Sequence, residues 1–269
     1  MTTGFVDIDW AGRPVRIEHV WVGVDLAAAP LIVFLHEGLG SVSMWKDFPD
    51  RLCRTAACRG LVYSRPGYGR STPRAADEHW APDFMHRQAR EVLPALLAAL
   101  GVDAAAAPPW LFGHSDGGSI ALLHAAMFSD RVAGLVVLAP HILVEDLSIA
   151  SIEQARVAFE TGDLRQGLSR HHADVDSAFR GWNDVWLSPA FRPWNITAEL
   201  APIRAPLLAV QGLDDIYGTL AQIRGLQGPV PQTQLLELPA CGHSPHRDQP
   251  AALVAAVTHF IQQHTGDPT

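Results

Sequence analysis

The first part of the chain alternates between apolar and polar residues. Two such segments, 3–10 and 14–24, flank Ala11-Gly12-Arg13. This pattern predicts an antiparallel hairpin. Six short apolar runs follow, and strands covered on both faces are expected to have this composition. They lie at 31–35, 61–63, 110–112, 135–138, 207–210 and 234–238.

Segments with helical character separate these runs. They are predicted at 45–58, 83–100, 119–128 and 251–263. Asp83 is a candidate N-cap for the second helix, and Gly101 is the residue expected to end it. Strands that alternate with helices predict a mostly parallel sheet with helices on both faces.

One stretch, 141–200, contains no strand-like run. It carries Trp182, Trp186 and Trp194, three of the eight tryptophans of the chain. We interpret it as a helical lid inserted between two core strands, with 1–140 and 201–269 forming the core. A surface insertion without a functional role is the alternative.

A candidate nucleophile lies in the middle of the chain. Residues 113–117 read Gly-His-Ser-Asp-Gly, follow the apolar run 110–112 and precede a predicted helix. A serine on a sharp strand-to-helix turn, with glycines two residues before and after it, is exposed for nucleophilic attack. This context predicts Ser115 as the nucleophile, in preference to a plain glycine-rich turn.

A serine hydroxyl needs a general base that is oriented by an acid. His243 follows the last predicted strand directly after a glycine, and we prefer it to His246. Asp214 and Asp215 follow the preceding strand, and Asp215 stands three residues after the glycine that ends it. We therefore predict Asp215 as the acid.

Glu145 and Asp146, at the start of the lid, are remote alternatives to Asp215.

The remaining part of the candidate site is the oxyanion hole, which needs backbone N–H groups beside the serine. We assign the N–H groups of Asp116 and Gly38, with Leu39 as a weaker alternative to Gly38.

Net charge, cysteine content and the length of the apolar runs indicate which partners and which compartment to expect. The formal net charge of −8 disfavours unaided nucleic-acid binding. Three cysteines without a C-x-x-C pair disfavour a disulfide framework. The chain shows no secretory signal and no run long enough to cross a membrane. We expect a cytoplasmic protein that binds neither nucleic acid nor membranes.

A metal site is a weaker hypothesis. His171 and His172 could bind a metal together with Asp174, but we expect solvated helix residues there, and no metal. Cys53 and Cys58 are expected to pack as small apolar residues.

These motifs together resemble the α/β-hydrolase superfamily, and within it the small esterases and the hydrolases of aromatic degradation. The matching segments are 36–40 (His-Glu-Gly-Leu-Gly), 65–71 (Arg-Pro-Gly-Tyr-Gly-Arg-Ser), 113–118, Asp215 and 242–243. The resemblance implies an eight-stranded, mostly parallel sheet with one antiparallel edge, flanking helices, a helical lid after the sixth strand, and no cofactor.

The resemblance has one departure. Many relatives carry His-Gly where this chain has His36-Glu37. A carboxylate that pointed into an oxyanion hole would be harmful, so we expect Glu37 to point away from it, toward Arg65.

The sequence predicts hydrolysis of a small, fairly apolar carboxylic ester through an acyl-enzyme. The expected pocket residues are Leu39, Trp45, His114, Trp182 and Trp186. A C–C bond hydrolase of aromatic ring-fission products would use the same residues, and a lactonase, thioesterase or perhydrolase stays open. A ligand receptor without catalysis is disfavoured. The expected partner is a small ester or ketone, and a homo-oligomer is compatible with the sequence.

Overall fold

A single eight-stranded sheet organises the computed structural model, which describes residues 2–265. Its spatial order is β1-β2-β4-β3-β5-β6-β7-β8. The strands are β1 (Thr3–Trp10), β2 (Arg13–Gly23), β3 (Leu31–Leu35), β4 (Arg59–Tyr63), β5 (Trp110–His114), β6 (Gly134–Leu138), β7 (Leu207–Gly212) and β8 (Thr233–Leu238). Strand β2 pairs antiparallel with both β1 and β4, and the remaining pairs are parallel. The predicted sheet with one antiparallel edge is confirmed.

The hairpin turn and the inner strands follow from their sequences. Ala11 and Gly12 both have positive φ, at 56° and 76°, and join Trp10 and Arg13, the last pair of the hairpin. Two positive φ values in a two-residue turn match the twist of the flanking strands. The strands β3, β5, β6 and β7 are buried along their whole length, as continuous apolar runs predict.

Alternate residues of each inner strand face different helices, which divides the core into two layers. Ile32 and Phe34 pack with helices α1 (Phe48–Thr55) and α10 (Pro250–His264). Val33 and Leu35 pack with the helices on the other face. These are α2 (Phe84–Arg87), α3 (Leu93–Ala99) and α4 (Asp116–Met127). Short helices α8 (Ala221–Arg224) and α9 (Pro245–Asp248) complete the core.

The predicted helix over 83–100 is continuous but not uniform. A π-helical turn, Gln88–Val92, joins α2 to α3. Pro94 lacks an N–H and cannot donate to the carbonyl four residues earlier, which favours a local change of helix geometry. Asp83 occupies the predicted N-cap position, but its side chain makes no capping hydrogen bond. Gly101 adopts φ 70° directly after the helix, as expected of its terminating residue.

Two other helices begin at residues that differ from the predicted ones. The 45–58 prediction corresponds to a 3₁₀ turn, Val42–Trp45, followed by α1, because Lys46 has a positive φ of 54° that interrupts them. Helix α4 begins at Asp116, three residues earlier than predicted, because the Ser115 carbonyl already accepts from the N–H groups of Gly118 and Ser119.

The connection between β6 and β7 is helical. It contains α5 (Asp146–Thr161), α6 (Leu164–Ser169), α7 (Val175–Trp186) and two 3₁₀ turns, Pro189–Phe191 and Thr197–Leu200. We call 141–200 the helical segment. Aromatic side chains hold it together: Phe159 stacks on Phe179 at 3.7 Å between ring centroids, and Trp186 packs against Phe191 at 4.9 Å. No helix within the described residues is long and apolar enough to cross a bilayer.

Candidate active site

Ser115 lies at the turn between β5 and α4. Its φ of 52° and ψ of −122° place it in a region that residues with a side chain rarely adopt. Such strain persists only where the surroundings enforce it, and it is concentrated at functional sites. Here the N–H of Ser115 donates to the Leu138 carbonyl at 2.9 Å, and the Ser115 carbonyl caps the first turn of α4.

Close backbone contact explains why this turn contains glycine. A Cβ on Gly117 would lie 2.6 Å from the carbonyl oxygen of His36, in the loop after β3. A Cβ on Gly113 would lie 2.6 Å from the Cα of Gly118. Real side chains do not tolerate such distances, so glycine at these positions brings the Ser115 turn against the loop that carries Gly38.

His243 and Asp215 meet at the same edge of the sheet. Nδ1 of His243 lies 2.9 Å from Oδ2 and 3.0 Å from Oδ1 of Asp215. An ionised carboxylate only accepts hydrogen bonds, so Nδ1 carries the proton and donates. A neutral His243 therefore keeps an unprotonated Nε2, the form that a general base requires.

Asp215 is itself held in place. Its Oδ1 accepts from the Tyr217 N–H at 2.8 Å and its Oδ2 from Gln211 Nε2 at 3.2 Å. Burial raises the pKa of Asp215, but the hydrogen bond from His243 and the other polar contacts together lower the pKa by more than burial raises it, so the net shift is downward. The carboxylate is therefore ionised at neutral pH.

The alternative acids lie elsewhere. Asp214 is exposed, and its backbone N–H donates to the Cys241 carbonyl. Glu145 accepts from the backbone and hydroxyl of Thr219, and Asp146 pairs with Arg192 at the surface. Of the four candidate acids, Asp215 is the one hydrogen-bonded to His243.

His246, the alternative base, lies under the site rather than in it. It belongs to α9, is 5% exposed, and packs its ring 4.9 Å from those of Trp45 and His114. Burial holds the pKa of His246 well below its usual range, so the ring is neutral. Its surroundings are those of a core residue.

The two predicted oxyanion residues approach each other from separate loops. Asp116 is the first residue of α4, where backbone N–H groups have no partner within the helix and the positive end of the helix dipole lies. Gly38 lies in the loop after β3, and both residues line the cavity that contains Ser115 and His243.

Helix α7 contacts both of these residues. Nε1 of Trp186 donates to Oδ1 of Asp116 at 3.1 Å. The indole of Trp182 lies directly on Gly38, since a Cβ added to Gly38 would come within 3.0 Å of its Cε2. Burial raises the pKa of the Asp116 carboxyl to about 6, although Arg65, 3.8 Å away, acts in the opposite direction.

A cavity of about 260 Å³ extends from Ser115 to the helical segment. Leu39, Trp182 and Trp186 line it, as expected of pocket residues. Trp45 and His114 do not: they are 3% and 1% exposed and lie beneath the site, in contact with His246. That part of the pocket prediction is wrong because Trp45 packs in the core layer of α1 and α10, and the His114 ring lies beneath the His243 backbone, with Nε2 2.7 Å from its carbonyl oxygen.

Several residues that line the cavity were not predicted from the sequence. They are Glu37, Met44, His141, Ile152, Leu164, Leu168, Tyr217, Ser244 and Arg247. Tyr217 and Arg247 lie within four residues of Asp215 and His243, and this proximity is the one signal that could have indicated them. Leu164 and Leu168 share a face of α6 by their i, i+4 spacing, but nothing local shows which surface that face covers.

The Glu37 side chain points in a different direction from the one expected. Its carboxylate does not point toward Arg65: Oε2 lies 3.3 Å from Nδ1 of His114, and Oε1 lies 3.4 Å from Nη2 of Arg247. Burial raises the pKa of Glu37, but the nearby His114 and Arg247 are the main groups that lower the pKa, and the net shift is downward. Arg65 instead contacts the backbone carbonyl of Glu37.

Of the histidine pair in the helical segment, His172 is buried and bonded to the backbone of two loops. His172 is 6% exposed, accepts from the Gly69 N–H at 3.0 Å and contacts the Leu39 carbonyl at 3.0 Å. Both histidines lie in the loop between α6 and α7, so the expectation of helix residues is wrong for both, and the expectation of a solvated side chain is wrong for His172. Asp174 caps α7 by accepting from the Ser177 N–H.

Neither metal ligation nor disulfide bonding is indicated. Among residues 2–265, no group of three or more His, Cys, Asp or Glu side chains is arranged to bind a metal ion. Cys53, Cys58 and Cys241 are free and buried. Burial raises the pKa of the Cys58 thiol to about 11, which agrees with its expected packing role.

Known proteins with similar sequences are hydrolases. A sn-1-specific diacylglycerol lipase of Mus musculus is 26% identical, over 93% of this chain and 86% of its own length. A 2-hydroxy-6-oxo-6-phenylhexa-2,4-dienoate hydrolase of Burkholderia cepacia is 23% identical, over 81% of this chain and 83% of its own.

A solved structure shares the fold. A thermophilic esterase from Thermogutta terrifontis superposes with a TM-score of 0.73 at 19% identity, covering 98% of this chain and 100% of that one. The model of the alpha/beta hydrolase family matches residues 32–257, which include the Ser115 turn, Asp215 and His243. The chain therefore belongs to the alpha/beta hydrolase family.

Proposed function

We propose that this hydrolase cleaves a small, fairly apolar carboxylic ester through an acyl-enzyme, with Ser115 as nucleophile, His243 as base and Asp215 as the orienting acid. The proposal rests on one observation. A serine on a strained strand-to-helix turn shares a cavity with a histidine whose Nδ1 is hydrogen-bonded to a buried carboxylate. This combination is what nucleophilic acyl transfer requires.

The proposed reaction has two steps. Ser115 Oγ attacks the ester carbonyl carbon while Nε2 of His243 takes its proton and then passes it to the leaving alcohol. Water, activated by the same nitrogen, then hydrolyses the acyl-enzyme. The imidazolium formed in each step is stabilised by Asp215, which is ionised at neutral pH.

Negative charge develops on the carbonyl oxygen of the substrate in both steps. The backbone N–H groups of Gly38 and Asp116 are the proposed donors. Each preorganised donor of this kind lowers the barrier by about 3–4 kcal/mol. The N-terminal end of α4 favours the same charge.

The cavity supports the choice of substrate. Its wall above Ser115 consists of Ile152, Leu164, Leu168, Trp182 and Trp186, and its volume of about 260 Å³ suits a small acyl or alcohol group. We propose that the helical segment acts as a lid that selects the substrate by its apolar surface. The cytoplasmic location stays a prediction.

The proposal is tested with a fluorophosphonate probe and an ester panel. Wild-type protein is expected to be labelled at Ser115 and to hydrolyse nitrophenyl esters of short acids. Ser115→Ala is expected to lose labelling and about 10⁶-fold in kcat. Ser119→Ala, which changes a nearby buried serine of α4, is the matched control for labelling. Folded wild-type protein that stays unlabelled would contradict the proposal.

Hydrolysis of a C–C bond in a ring-fission product is the second candidate. One observation favours it: Arg247, a cationic residue, lines the cavity, and the dienoate named for the Burkholderia cepacia relative is a carboxylate. Turnover of such a dienoate more than tenfold above that of any ester, and its loss in Arg247→Gln, would replace the ester proposal.

A further inference from the structure

The carbonyl of Glu37 is the focus of an unusual set of contacts. Its oxygen accepts from Nη2 of Arg65 at 2.7 Å, from the Gly40 N–H at 3.1 Å, and contacts Nδ1 of His36 at 2.7 Å. Carbonyl oxygens have two lone pairs and usually accept one or two hydrogen bonds. Three donors converge here on one peptide group next to Ser115.

The tautomer of His36 follows from its other nitrogen. Nε2 accepts from the backbone N–H of Arg65 at 3.0 Å, so it is unprotonated. Burial, with Arg65 nearby, holds the pKa of His36 well below its usual range and keeps the ring neutral. Nδ1 therefore carries the proton and donates to the Glu37 carbonyl.

The same peptide group supplies the proposed oxyanion donor. The carbonyl of Glu37 and the N–H of Gly38 belong to one peptide unit, and no peptide bond among the described residues is cis. In a trans peptide the two groups point in opposite directions. Because the carbonyl faces Arg65 and His36, the N–H of Gly38 faces away from them, toward the cavity that Gly38 lines.

Arg65 also contacts the second oxyanion residue. Its side chain is fully buried, its Nη2 lies 3.8 Å from Oδ2 of Asp116, and its guanidinium lies 4.6 Å from the Tyr68 ring centroid. Desolvating a buried charge costs several kcal/mol, and replacing a whole buried ion pair by apolar residues of similar volume is often neutral for stability. A net gain in stability is therefore a weak explanation for a guanidinium at this position, although removing it alone would leave the Asp116 carboxyl buried without its charged partner.

We propose that Arg65 is a positioning residue of the oxyanion hole, which holds and polarises the Glu37–Gly38 peptide group. Its permanent charge strengthens the Gly38 N–H as a donor, because hydrogen bonds in series polarise one another. It also prevents rotation of the peptide that would turn the carbonyl toward the developing oxyanion. The inference rests on the proposed roles of Gly38 and Ser115.

The first test compares Arg65→Met and Arg65→Lys with Val136→Ala, a core substitution on β6 that destabilises the protein away from this loop. For Arg65→Met we expect kcat to fall about 10–100-fold, part of the effect of losing an oxyanion donor, with KM changed less than about threefold. Affinity for a boronic acid, which forms a tetrahedral anion on Ser115, falls by the same factor as kcat. Arg65→Lys keeps the charge and loses less.

Val136→Ala is expected to lower the melting temperature while folded protein keeps its kcat and boronic acid affinity. Arg65→Met with wild-type values of both would overturn the proposal. The proposal would also be overturned if the two variants had the same melting temperature and Arg65→Met lost no more kcat and boronic acid affinity than Val136→Ala. A KM effect without a kcat effect would also overturn it, because positioning acts on the transition state.

A second measurement needs no variant to fold. Glu37-Gly38 is the one Glu-Gly pair in the sequence. Labelling glutamate with ¹³C at the carbonyl and glycine with ¹⁵N therefore gives a single NMR correlation for this peptide group. We expect a carbonyl shift clearly downfield of an unstructured Glu-Gly peptide, and a downfield shift of the Gly38 amide proton when the boronic acid binds. A carbonyl at the unstructured value would overturn the proposal.

The NMR result also separates the two proposals. If wild-type protein shows the shifted carbonyl but no fluorophosphonate labelling, the proposed function fails while the Arg65 contact stands. If labelling and turnover are present and the carbonyl is unshifted, the proposed function stands and the role of Arg65 fails.

Discussion

The two sides of the cavity are built by different means. On the sheet side, Ser115, Asp215 and His243 lie in the loops that follow β5, β7 and β8, and polar contacts fix each of them. On the opposite side, the helical segment contributes apolar and aromatic side chains that are held by packing, as in the 3.7 Å stack of Phe159 on Phe179.

This difference matters for function. A turn after a buried strand can move little, because the neighbouring strands hold its ends, so it suits groups that need hydrogen-bond accuracy. An apolar wall held by packing tolerates hydrophobic substitutions that keep its volume more readily than a hydrogen-bonded turn tolerates the loss of a partner. We therefore expect substitutions on the sheet side to act on the chemical step, and substitutions on the helical side to act on substrate binding.

The largest effect is expected on the sheet side. Asp215→Asn removes the acceptor that fixes the proton on Nδ1 of His243, and kcat should fall about 10³–10⁴-fold. The adjacent Asp214→Asn, an exposed residue outside the hydrogen-bond pair, is the matched control and should stay within about twofold. Ester hydrolysis with purified protein measures both. Equal losses in the two variants would contradict the assignment of Asp215.

A smaller and different effect is expected on the helical side. Trp182→Ala removes the indole that lies on Gly38 and lines the cavity. KM for an apolar ester should rise about tenfold, the loss of one good aromatic contact, with a smaller change in kcat. Val157→Ala, an exposed position on α5, should change neither. A fall in kcat at constant KM would contradict the division between the two sides.

The contact between the two sides should have a pH-dependent effect on stability. The Asp116 carboxyl accepts from Trp186, and burial raises its pKa to about 6, above the ordinary value of 3.8. The native state therefore holds this proton more tightly than the unfolded chain, and the free energy of unfolding falls as pH rises from about 4 to 6. The full difference is about 3 kcal/mol.

Asp116→Asn removes this titration. The stability of the variant relative to wild type should improve between pH 4 and pH 7.5, by up to about 3 kcal/mol. Urea unfolding at both pH values measures it. A relative stability that does not change with pH, or that worsens as pH rises, would show that the pKa of Asp116 is not raised.

The smallest effect is expected at the outer surface of the helical segment. Arg192 pairs with Asp146, whose side chain is 91% exposed. Exposed ion pairs contribute about 0–1 kcal/mol, so Arg192→Ala should change the free energy of unfolding by less than about 1 kcal/mol and leave kcat unchanged. A larger loss at moderate salt would mean that this pair holds the segment in place over the cavity.

Prediction from sequence succeeded best where one residue type has one local purpose. Buried strands, the glycine-flanked serine turn and the position of Asp215 three residues after the strand-ending Gly212 all depend on neighbours in the sequence. It failed for Trp45 and His114, which were expected in the pocket and lie in the core. His114 is the last residue of β5 and Trp45 the last residue of the 3₁₀ turn near the site, and only their side-chain direction separates them from residues that line the cavity.

Glu37 shows the same limit in another form. Its position beside the oxyanion loop is evident from the sequence, but the partners of its carboxylate, His114 and Arg247, are far away along the chain. Arg247 belongs to α9, a four-residue helix that no periodicity indicates. Contacts of this kind depend on how separate loops meet, which a local pattern does not contain.

The sequence by itself determined the family architecture, the strained serine turn and the order of serine, aspartate and histidine, because strand burial and turn chemistry are local properties. Tertiary structure alone decided which tryptophans line the cavity, which partners the Glu37 carboxylate has, and that a buried arginine contacts the Glu37 carbonyl. Those outcomes depend on the directions of side chains brought together from distant segments, and distance along the chain carries no information about direction.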